Sequence, residues 1–585
     1  MTYPDLKDQV VAIDIETKEV QDIKKYGSGA HRHYLEGEDS RILGIAVSTG
    51  SEDYYFEACQ ELCDWLIYHQ ETATFLMHNS FYDMSWLYYE GFRPKKAVDT
   101  MGLVRMIYED RMTYNLDDCA RDILHLRKGE AELEEWCKAN IQGFRGKPQK
   151  HLAQMPVELV AKYAKKDTRL TYDLYEKLIP EIEKQELSYI WDIECRLLPI
   201  LYRTNHKGIR VDESWRQQAS VELGEEVAAL KAWLFDKAGE KFNTNSSKQK
   251  KVVFDKLDLP YTQTAKGNPS FKAEEMLPYG VDPDMEYFPH VLVQHNKLEK
   301  LKRDFVDGLE RFIVKGRIHP TMNPYGTKTG RPSANTPNLF QVPKKGRGKE
   351  ICRRLFLPEE GEVWVSCDVA SEEYRIFAHY ASGPGSDNYR EKYNTISGYD
   401  MHIENANLAG CDRPKAKTIG LGVLFGMGAH KMAVNLGMGE QKGLATVKKF
   451  HKANPSFSHT AKRAQKWAEH HGFMRTLAKR RRRFPHGEGA YKALNFLTQG
   501  NSADYAKIII VELEEQGVLE TASLLLWLYD EWDFSCKEEN LSKLAPLFEL
   551  ANTALNLNVK MEIGFEVGDS WGSVEEVGWE GIIDG

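Results

Sequence analysis

The sequence predicts a multidomain protein of α/β and α+β fold class, and three observations support that prediction. The chain has 585 residues, which suits about three or four domains. Residues 1–185 alternate strand-like and helix-like segments, which is the order of an α/β domain. Residues 186–312 are helical and charged, and strand-like segments return after Gly330, as in an α+β domain.

The composition excludes several classes of protein. Hydrophobic residues make up 42% of the chain and charged residues 28%, as in globular proteins. No segment has the roughly 20 consecutive apolar residues of a membrane span, and the N-terminus resembles neither a secretory nor a transit peptide. The 9 cysteines are scattered, and the closest pair, Cys59 and Cys63, lacks a zinc-like spacing. A cytoplasmic protein without a membrane partner is therefore predicted.

Charge gives a weaker indication of the partner. The net charge of −9 argues mildly against nucleic acid, but an acidic enzyme can still bind DNA through a local basic groove. Two basic runs are candidates for such a groove, residues 344–354 and residues 479–483. A solvated surface is an equally good interpretation of either run by itself.

Four acids in the N-terminal region suit a metal site. Asp14 and Glu16 lie two apart on the strand-like segment VVAIDIET, so both side chains leave one face of the strand. Asp83 follows a short strand, and Asp167 lies four residues after Tyr163, a spacing that puts the two on one helix face. Buried carboxylates need a cation, and Mg²⁺ and Mn²⁺ prefer carboxylate ligands. The acids predict a two-metal site for phosphodiester cleavage, although a D-x-E pair alone is more often a surface pair.

These motifs resemble those of the DEDD 3′–5′ exonucleases, in the subtype with a tyrosine in the third motif. D-x-E at 14–16, N-x-x-x-D at 79–83 and Y-x-x-x-D at 163–167 occur in the order of that family. The resemblance implies an RNase H-like domain whose two Mg²⁺ ions, or Mn²⁺ ions, are held by Asp14, Glu16, Asp83 and Asp167. It also implies that Tyr163 orients the attacking water and that Asn79 contacts the departing strand end.

A second group of acids lies in the C-terminal half. Asp368 ends the strand-like segment EVWVSCD, and Asp530 and Glu531 sit at the turn of an apolar hairpin, positions where acids are common without any function. The helix-like segment between them carries a stripe of side chains that recur every four residues: Arg413, Lys417, Leu421 and Phe425. Cations at a helix start oppose the helix dipole. The stripe is therefore better explained by an arriving anion, such as a triphosphate whose base lies near the aromatic ring.

The same segment, residues 412–435, is predicted to be a helix rich in glycine. Its glycines include positions 420, 422, 426 and 428. Each costs a helix interior up to about 1 kcal/mol. They predict either the close approach of another group or a helix that must move.

Further segments resemble the polymerase motifs of the DNA polymerase I family, family A. DVASEEYR, starting at Asp368, is similar to motif A; RPKAKTIGLGVLFGMGAHKMA, starting at Arg413, to motif B; and LYDE to motif C. TGRPSANTPNLFQVP, NFLTQGNSADYAK and EVGDSW are similar to other segments of that family. The resemblance implies a right-hand polymerase with a helical thumb, a palm built on an antiparallel sheet, and helical fingers.

The resemblance also implies roles for single residues. Asp368 and Asp530 would hold two catalytic Mg²⁺ ions, with Glu531 as a supporting acid. Glu373 would exclude a 2′-hydroxyl, and Lys417 would donate a proton to pyrophosphate. The incoming nucleotide would contact Arg413, Lys417, Leu421, Phe425, Glu373 and His402. The primer-template would contact Arg331, Asn338, Arg375, Asn495 and Gln499.

The expected domains are an exonuclease at 1–185, a thumb and connecting region at 186–330, the palm at 331–398 and 484–585, and fingers at 399–483. The resemblance implies a DNA-directed DNA polymerase that proofreads. Its arrangement is that of bacteriophage replicative polymerases and also of the large fragment of the bacterial repair enzyme, and a bacteriophage enzyme acting in replication in the host cytoplasm is the preferred expectation. Because the exonuclease motif begins at residue 14, no 5′ nuclease domain is expected. The expected partners are primer-template DNA, deoxynucleoside triphosphates and replication accessory proteins, with the protein itself a monomer.

Four positions depart from the family pattern. Tyr529 stands where motif C usually has histidine, and Phe425 stands where motif B usually has tyrosine. Leu421 replaces a usual phenylalanine or tyrosine, which predicts altered discrimination against dideoxynucleotides. Glu372 occupies a place that is often apolar, and the sequence gives no physical reason for it. None of the departures removes a metal ligand.

Three alternative interpretations remain. A single-subunit RNA polymerase shares the palm and fingers, but its relatives lack the complete exonuclease set and the acidic gate Glu373 argues against ribonucleotides. A nuclease of the RNase D type would explain the N-terminal region and leave the rest of the chain unexplained. A DNA-binding protein without catalysis predicts the loss of metal ligands, whereas all six carboxylates are present.

Overall fold

The structure is a computed structural model, and it describes residues 3–264, 266–272, 287–427, 432, 440–578 and 581–582. Two five-stranded sheets form its framework, one near each end of the chain. Helices cover both sheets and fill the region between them. Within the described residues, no helix combines the length and apolar character needed to cross a membrane.

The N-terminal sheet contains both parallel and antiparallel strands, and the first strand of the chain lies at its centre. In chain order its strands are β1 (Val10–Lys18), β2 (Arg41–Ser48), β3 (Asp53–Glu57), β4 (Thr74–Met77) and β5 (Lys96–Asp99). Their spatial order is β3-β2-β1-β4-β5, with β1 antiparallel to β2 and parallel to β4. The predicted strands VVAIDIET, RILGIAVST and ATFLMH are thus confirmed.

Helices of this region cover the sheet and bring their polar residues to β1. The longest, Val157–Lys184, has 28 residues and packs on β1 and β2. The others are Ile23–Tyr26, Gly29–Glu36, Gln60–His69, Phe81–Leu87, Thr100–Ile107, Leu116–Cys119 and Glu130–Asn140, with a π-helical turn at Ala120–Leu124 and a 3₁₀ turn at Pro148–Gln154. Because β1 is central and apolar on most positions, a carboxylate on it points into the protein rather than into bulk water.

The middle of the chain is helical, as its sequence predicts. Its helices are Ser188–Lys207, Glu213–Ala238, Ser247–Lys256 and Phe288–Lys300, and the last continues as a π-helical turn and a 3₁₀ turn to Phe312. Leu234, Phe254 and Leu292 belong to a separate hydrophobic cluster between these helices. The region therefore has an apolar core of its own.

The C-terminal sheet is antiparallel throughout. Its strands are β6 (Val363–Val369), β7 (Ala522–Leu528), β8 (Glu531–Cys536), β9 (Ile563–Gly568) and β10 (Glu575–Val577), in the spatial order β7-β8-β6-β9-β10. The predicted strand EVWVSCDVA and the predicted hairpin LLLWLYDEWDFSC are confirmed. Only Tyr529 and Asp530 separate β7 from β8, and Tyr529 has a left-handed φ of 61°. Such tight hairpin turns favour that conformation.

Helices surround the C-terminal sheet. The central one, Ala493–Glu515, has 23 residues and is buried along most of its length. The others are Gly346–Cys352, Glu372–Tyr380, Ser386–Thr395, Met401–Ala409, Arg413–Leu424, Glu440–Ala453, Pro455–His471 and Pro546–Thr553. Short strands elsewhere are Ile209–Val211, Thr262–Gln263, Pro269–Ser270, Arg317–Ile318, Thr321–Asn323, Ser333–Asn335, Phe356–Leu357, Phe473–Arg475 and Arg481–Arg483.

The predicted helix over 412–435 is shorter than expected. The side chain of Asp412 caps it by accepting a hydrogen bond from the backbone N–H of Lys415 at 2.8 Å, and the helix ends at Leu424. Gly426 follows with a left-handed φ of 77°, a conformation that stops a helix and suits glycine. Gly428 and the rest of the predicted segment, apart from residue 432, lie outside the described residues.

The basic run at 479–483 is partly buried. Arg480 is 5% exposed, and its guanidinium forms ion pairs of 2.6 Å with both Glu194 and Asp504. Glu194 also pairs with the buried ammonium of Lys507. These four charges form a buried network between the helix Ser188–Lys207 and the helix Ala493–Glu515.

The next arginines of this run tie the C-terminal half to the N-terminal domain. Arg482 contacts Asp110 at 2.9 Å, and Arg483 pairs with Glu109. Both acids follow the helix Thr100–Ile107 of the N-terminal domain. The expectation of a nucleic-acid groove is therefore wrong for these arginines, because acids of the protein already bind them.

Candidate active sites

The four predicted acids of the N-terminal domain come together at the centre of its sheet. Asp14 and Glu16 lie on β1, Asp83 on the helix Phe81–Leu87 and Asp167 on the helix Val157–Lys184. Asp83 Oδ1 accepts a hydrogen bond of 3.1 Å from the backbone N–H of Ile15, which lies between the two acids of β1. Glu16, Asp83 and Asp167 are each less than 9% exposed. Three elements distant in sequence thus build one acidic site.

Burial, reinforced by the neighbouring carboxylates, favours the neutral form of these acids when no metal ion is bound. Burial, and then the charge of Asp167, raises the pKa of Asp14 to about 7. Burial, and then the charge of Asp14, raises the pKa of both Glu16 and Asp83 well above the usual range. Bound cations would reverse this effect, since a positive charge favours the ionised form of a carboxylate.

Two unpaired oxygens show that the site suits a divalent cation. Glu16 Oε1 and Asp167 Oδ1 are buried without a hydrogen-bond partner. Unpaired buried oxygens are costly, and carboxylate oxygens are the donors that Mg²⁺ and Mn²⁺ prefer. Within the described residues, no group of three or more His, Cys, Asp or Glu side chains has the spacing of a preformed metal site. The donor set therefore fits a metal whose binding draws the carboxylates together.

The other two predicted residues of this site differ in exposure. Tyr163 is buried, and its hydroxyl accepts a hydrogen bond of 3.0 Å from Lys128 Nζ. Asn79 is exposed, has a left-handed φ of 70°, and donates its backbone N–H to Asp99 Oδ1 at 3.0 Å. Asn79 also lines a cavity of about 670 Å³ that Asn338 borders from the C-terminal half. Sequence motifs did not identify Lys128, because its position lies between the motifs.

The second acidic site lies at the end of two neighbouring strands of the C-terminal sheet, β6 and β8. Asp368 on β6 is directly opposite Glu531 on β8, and Asp530 precedes Glu531 in the hairpin turn. The backbone N–H of Val369 donates to the carbonyl oxygen of Asp530 at 3.2 Å, which ties the turn to β6. Partial desolvation, and then the charges of Asp530 and Glu531, raises the pKa of Asp368 well above its usual range, although its side chain still reaches solvent.

Glu531 differs from the other two acids because cations of the protein already neutralise it. Its carboxylate accepts hydrogen bonds from Lys344 Nζ at 2.7 Å, Arg353 Nη1 at 3.1 Å and Trp571 Nε1 at 3.3 Å. Burial would raise the pKa of Glu531, but Lys344 and Arg353 outweigh burial and hold that pKa below its usual range. Part of the basic run 344–354 thus supports this acid instead of forming a free surface.

The predicted gate residue Glu373 is held by an arginine. Arg331 Nη2 donates to Glu373 Oε1 at 3.0 Å. The Arg331 guanidinium also lies 5.2 Å from the ring centre of Tyr529, and the ring of Phe340 contacts Tyr529 edge-on at 5.2 Å. Tyr529, a departure from the family pattern, therefore packs with Arg331 beside the hairpin turn that carries Asp530.

The predicted stripe occupies one helix, Arg413–Leu424, and the residue that follows it. Arg413 and Lys417 are exposed, whereas Leu421 and Phe425 are half-buried against a hydrophobic cluster. Arg413 Nε donates to Asp400 Oδ2 at 2.6 Å, and the charge of Lys417 opposes the rise in the pKa of Asp368. The two cations at the start of the helix are thus accessible to an anion.

The glycines of this helix show the close approach that the sequence predicts. A Cβ atom at Gly420 would clash with the hydroxyl of Tyr374 and the amide of Asn405. At Gly422 a Cβ atom would lie 3.0 Å from the methyl group of Met427. Small residues therefore let this helix pack closely on its neighbours, which offsets their low helix propensity.

His402 lies behind the stripe rather than on its surface. It is 2% exposed, its ring centre is 5.0 Å from that of Tyr374, and its Nδ1 has no hydrogen-bond partner. Burial lowers the pKa of His402 to about 4, and the nearby cations Lys417 and Arg413 act in the same direction. A neutral imidazole is therefore expected here at neutral pH.

The predicted DNA contact of Arg375 is wrong. The side chain is fully buried, with Nε donating to the carbonyl oxygen of Ala370 at 2.7 Å and Nη1 to that of Lys560 at 2.6 Å. Its remaining nitrogen pairs with Glu562 at 2.5 Å. Because the protein binds all of these donors, Arg375 ties the start of its helix to the segment before β9.

The other predicted DNA contacts are residues that are at least partly exposed. Asn338 is exposed and caps the 3₁₀ turn Leu339–Gln341. Asn495 and Gln499 are half-buried and lie four residues apart on the helix Ala493–Glu515, so they share a face. Asn495 Oδ1 is buried and has no hydrogen-bond partner within the described residues.

Glu372, which the sequence left unexplained, is a buried carboxyl group. It is 2% exposed and accepts a hydrogen bond of 2.5 Å from Ser502 Oγ, whereas its Oε1 has no partner. Burial, and then the charge of Asp530, raises the pKa of Glu372 well above its usual range. Burial therefore favours the neutral form of this carboxyl group, which explains how glutamate occupies an otherwise apolar position.

Glu372→Gln is expected to stabilise the protein increasingly as pH rises. An unfolded glutamate has a pKa of about 4.3, so the stability that the folded carboxyl group contributes is complete below that pH and is lost as pH rises through the higher folded pKa. The advantage of the variant should grow by up to about 1.4 kcal/mol per pH unit in this range. Thermal unfolding between pH 4.5 and 8 measures it, with exposed Glu549→Gln as control. A pH-independent difference would contradict an elevated pKa.

Comparisons with known proteins agree with this arrangement. A family model described as DNA polymerase family A matches residues 213–573, and one described as 3′–5′ exonuclease matches residues 3–183. The chain is 29% identical to DNA polymerase DpoZ of Acinetobacter phage SH-Ab 15497, covering 90% of this chain and 93% of that protein. It is 27% identical to a DNA-directed DNA polymerase of Pseudomonas phage M6, covering 98% and 95%.

A solved structure shares the whole architecture. The POL domain of Pol1 from M. smegmatis, in a complex with DNA primer-template and dNTP, superposes with a TM-score of 0.77 at 22% identity, over 97% of this chain and 96% of that one. At that identity the likeness shows the fold. Since the family A model covers more than half of the sequence, this chain belongs to DNA polymerase family A and is a DNA-directed DNA polymerase with a 3′–5′ exonuclease domain.

Proposed function

We propose that the C-terminal site copies a DNA template from deoxynucleoside triphosphates and that the N-terminal site removes nucleotides from the primer 3′ end. The observation that supports this most is the difference among the three acids at the end of strands β6 and β8. Glu531 is neutralised by Lys344 and Arg353, whereas Asp368 and Asp530 remain available at the adjoining positions. Asp368 and Asp530 are therefore the pair that would hold two Mg²⁺ ions.

The residues of the C-terminal site have separate tasks in this proposal. Bound Mg²⁺ would lower the pKa of the primer 3′-hydroxyl and neutralise charge on pyrophosphate. Arg413 and Lys417 bind the triphosphate, and Lys417 donates a proton to the leaving pyrophosphate. Glu373, held by Arg331, excludes a 2′-hydroxyl. The ring of Phe425 stacks on the nucleotide base in this proposal. Altered discrimination against dideoxynucleotides, expected from Leu421, stays a prediction.

The remaining predicted contacts of the C-terminal site concern the DNA and the nucleotide. Asn338, Asn495 and Gln499 contact the primer-template in this proposal, and the exposure of Asn338 and the partial exposure of Gln499 support it. Arg331 contacts the primer end from its place beside Tyr529. The predicted contact of His402 with the triphosphate is not part of this proposal, because its side chain is 2% exposed.

In the N-terminal site two Mg²⁺ or Mn²⁺ ions would be held by Asp14, Glu16, Asp83 and Asp167, and they would activate water and stabilise the leaving oxygen. Tyr163 orients the water, and Asn79 contacts the strand end. The cavity that Asn79 and Asn338 share supports a path for that strand between the two halves of the protein. Its volume of about 670 Å³ is large enough for a nucleotide-sized group.

The finer assignments follow the same proposal. The exonuclease occupies residues 1–185, the thumb and connecting region 186–330, the palm 331–398 and 484–585, and the fingers 399–483. The helix Val157–Lys184 ends one residue before the first of these boundaries. Phage relatives that match over almost their whole length support a replicative polymerase of a bacteriophage. Such an enzyme acts in the host cytoplasm as a monomer, with replication accessory proteins as further partners.

A primer-template assay tests the proposal directly. The purified protein is incubated with a labelled primer-template and Mg²⁺, with and without the four deoxynucleoside triphosphates, and in parallel with EDTA or with ribonucleoside triphosphates. Extension is expected only with deoxynucleotides, and shortening is expected without nucleotides. EDTA should abolish both. Extension by ribonucleotides would favour the RNA polymerase alternative, and DNA binding without either reaction would overturn the proposal.

A further inference from the structure

A lysine outside the three exonuclease motifs lies inside the N-terminal site. Lys128 precedes the helix Glu130–Asn140, and its backbone N–H is fixed by Asp117 Oδ1 at 3.1 Å. Its Nζ forms an ion pair with Asp167 Oδ2 and donates to the hydroxyl of Tyr163 at 3.0 Å. One ammonium group thus contacts both residues of the third exonuclease motif.

The side chain of Lys128 is largely buried. Its side chain is 16% exposed, and that of Asp167 is 4% exposed. A more exposed acid, Glu130, lies 4.0 Å from the same Nζ, yet the closer contact is with Asp167. Ion pairs between exposed side chains contribute little, whereas this contact joins two largely buried groups. The contact is therefore part of the site.

The charge of Lys128 reaches the acids on β1. Its positive charge opposes the rise in the pKa of Asp14 and of Glu16, and the charges of Asp167 and Asp14 in turn raise the pKa of Lys128 although burial lowers it. The ammonium group of Lys128 therefore interacts with the carboxylates of Asp14, Glu16 and Asp167. The ammonium group holds part of the negative charge in balance before any metal arrives.

We propose that Lys128 is a positioning residue of the exonuclease: its ammonium group fixes the hydroxyl of Tyr163 and one oxygen of Asp167 beside the metal ligands. This inference rests on the proposed exonuclease function. Lys128 does not contact the cleaved bond in this proposal. It acts through Tyr163, which orients the water, and through Asp167, which would hold a metal.

Two opposite effects follow from removing this ammonium group. Without its charge the site becomes more negative and frees an oxygen of Asp167, so a divalent cation should bind more tightly. Without its hydrogen bond, however, Tyr163 loses the partner that fixes its hydroxyl, so hydrolysis should slow because a misplaced catalytic group costs about 100-fold in rate. Damage to the fold would instead weaken metal binding and hydrolysis together.

The test compares Lys128→Met, which keeps the aliphatic length, with Lys128→Arg, which keeps the charge. Lys162→Met is the matched control, since Lys162 lies on the helix of Tyr163 with its side chain 68% exposed and paired with Glu132. Mn²⁺ affinity of the N-terminal site is measured by electron paramagnetic resonance on DNA-free protein in an Asp530→Asn background, which weakens the proposed metal site of the C-terminal half. kcat and KM are measured on a single-stranded oligonucleotide, and primer extension by the other half of the chain reports folding.

Lys128→Met is expected to bind Mn²⁺ about tenfold more tightly, with kcat reduced about 100-fold and KM and primer extension nearly unchanged. Lys128→Arg should keep wild-type Mn²⁺ affinity and recover only part of kcat, because a planar guanidinium differs in geometry from an ammonium group. Unchanged or weaker Mn²⁺ binding by Lys128→Met would overturn the proposal, as would an unchanged kcat. If the wild-type protein lacks exonuclease activity, the proposed function fails, and the Mn²⁺ measurement still decides the electrostatic role of Lys128.

Discussion

Asp530→Asn should abolish primer extension and leave removal of nucleotides from the 3′ end intact. Asparagine keeps the size of the side chain but removes the charge that would hold a metal at the tip of the β7–β8 hairpin. Because the lost interaction stabilises charge on the reacting phosphate, the extension rate should fall by roughly 1,000-fold. Single-nucleotide extension and shortening of a labelled primer, measured side by side, report the two activities.

Asp14→Asn should give the reverse result, loss of shortening with normal extension. Asp387→Asn is a suitable control, since that aspartate lies in the C-terminal half with its side chain 94% exposed. Both activities should remain in the control. If Asp530→Asn lost both reactions, the two sites would not be separate, and if it kept extension, Asp530 would not be a metal ligand.

Arg480→Met should have the largest effect on stability. It leaves Glu194 and Asp504 buried without their common partner, and each is at most 1% exposed in its side chain. Removing one member of a buried ion network costs about 3–5 kcal/mol. Because the network joins helices that flank the interface with the N-terminal domain, the loss should appear as a lower unfolding midpoint in urea and on heating.

Arg481→Met tests whether the effect belongs to the buried position. Arg481 is the next residue of the same basic run, and its guanidinium lies 4.6 Å from the ring centre of Phe473. Its loss should cost about 1 kcal/mol or less, the range of an exposed cation–π contact. Arg480→Lys keeps the charge but not both ion pairs, so its stability should be intermediate. An equal loss of stability in Arg480→Met and Arg481→Met would contradict a special role for Arg480.

Local patterns in the sequence predicted the strands and helices that carry the acids of both sites, whereas family motifs singled out those acids and their metal-binding role stays a prediction. The alternation on β1 placed Asp14 and Glu16 on one face, and the spacing of four placed Tyr163 and Asp167 on one helix face. These predictions succeeded because strand and helix periodicity are properties of neighbouring residues. The hairpin that carries Asp530 was predicted for the same reason.

Contacts between distant residues were not predictable from such patterns. Arg375 looked like a ligand of DNA from its place in motif A, but Ala370, Lys560 and Glu562 bind all of its donors. The basic run at 479–483 looked like a solvated or DNA-facing surface. Which arginines face inward depends on acids up to 374 residues away in sequence, and the sequence does not reveal that pairing.

The arginines of this run also affect the properties of a fragment from which the N-terminal domain has been removed. A polymerase fragment that begins ahead of the helix Ser188–Lys207 retains Glu194, so Arg480 keeps both of its acids. The same fragment loses Glu109 and Asp110, which leaves Arg482 and Arg483 with newly exposed positive charge. Excising the exonuclease thus removes two acidic partners and adds a basic patch, so the isolated polymerase half would differ from the intact enzyme in its salt-dependent affinity for DNA.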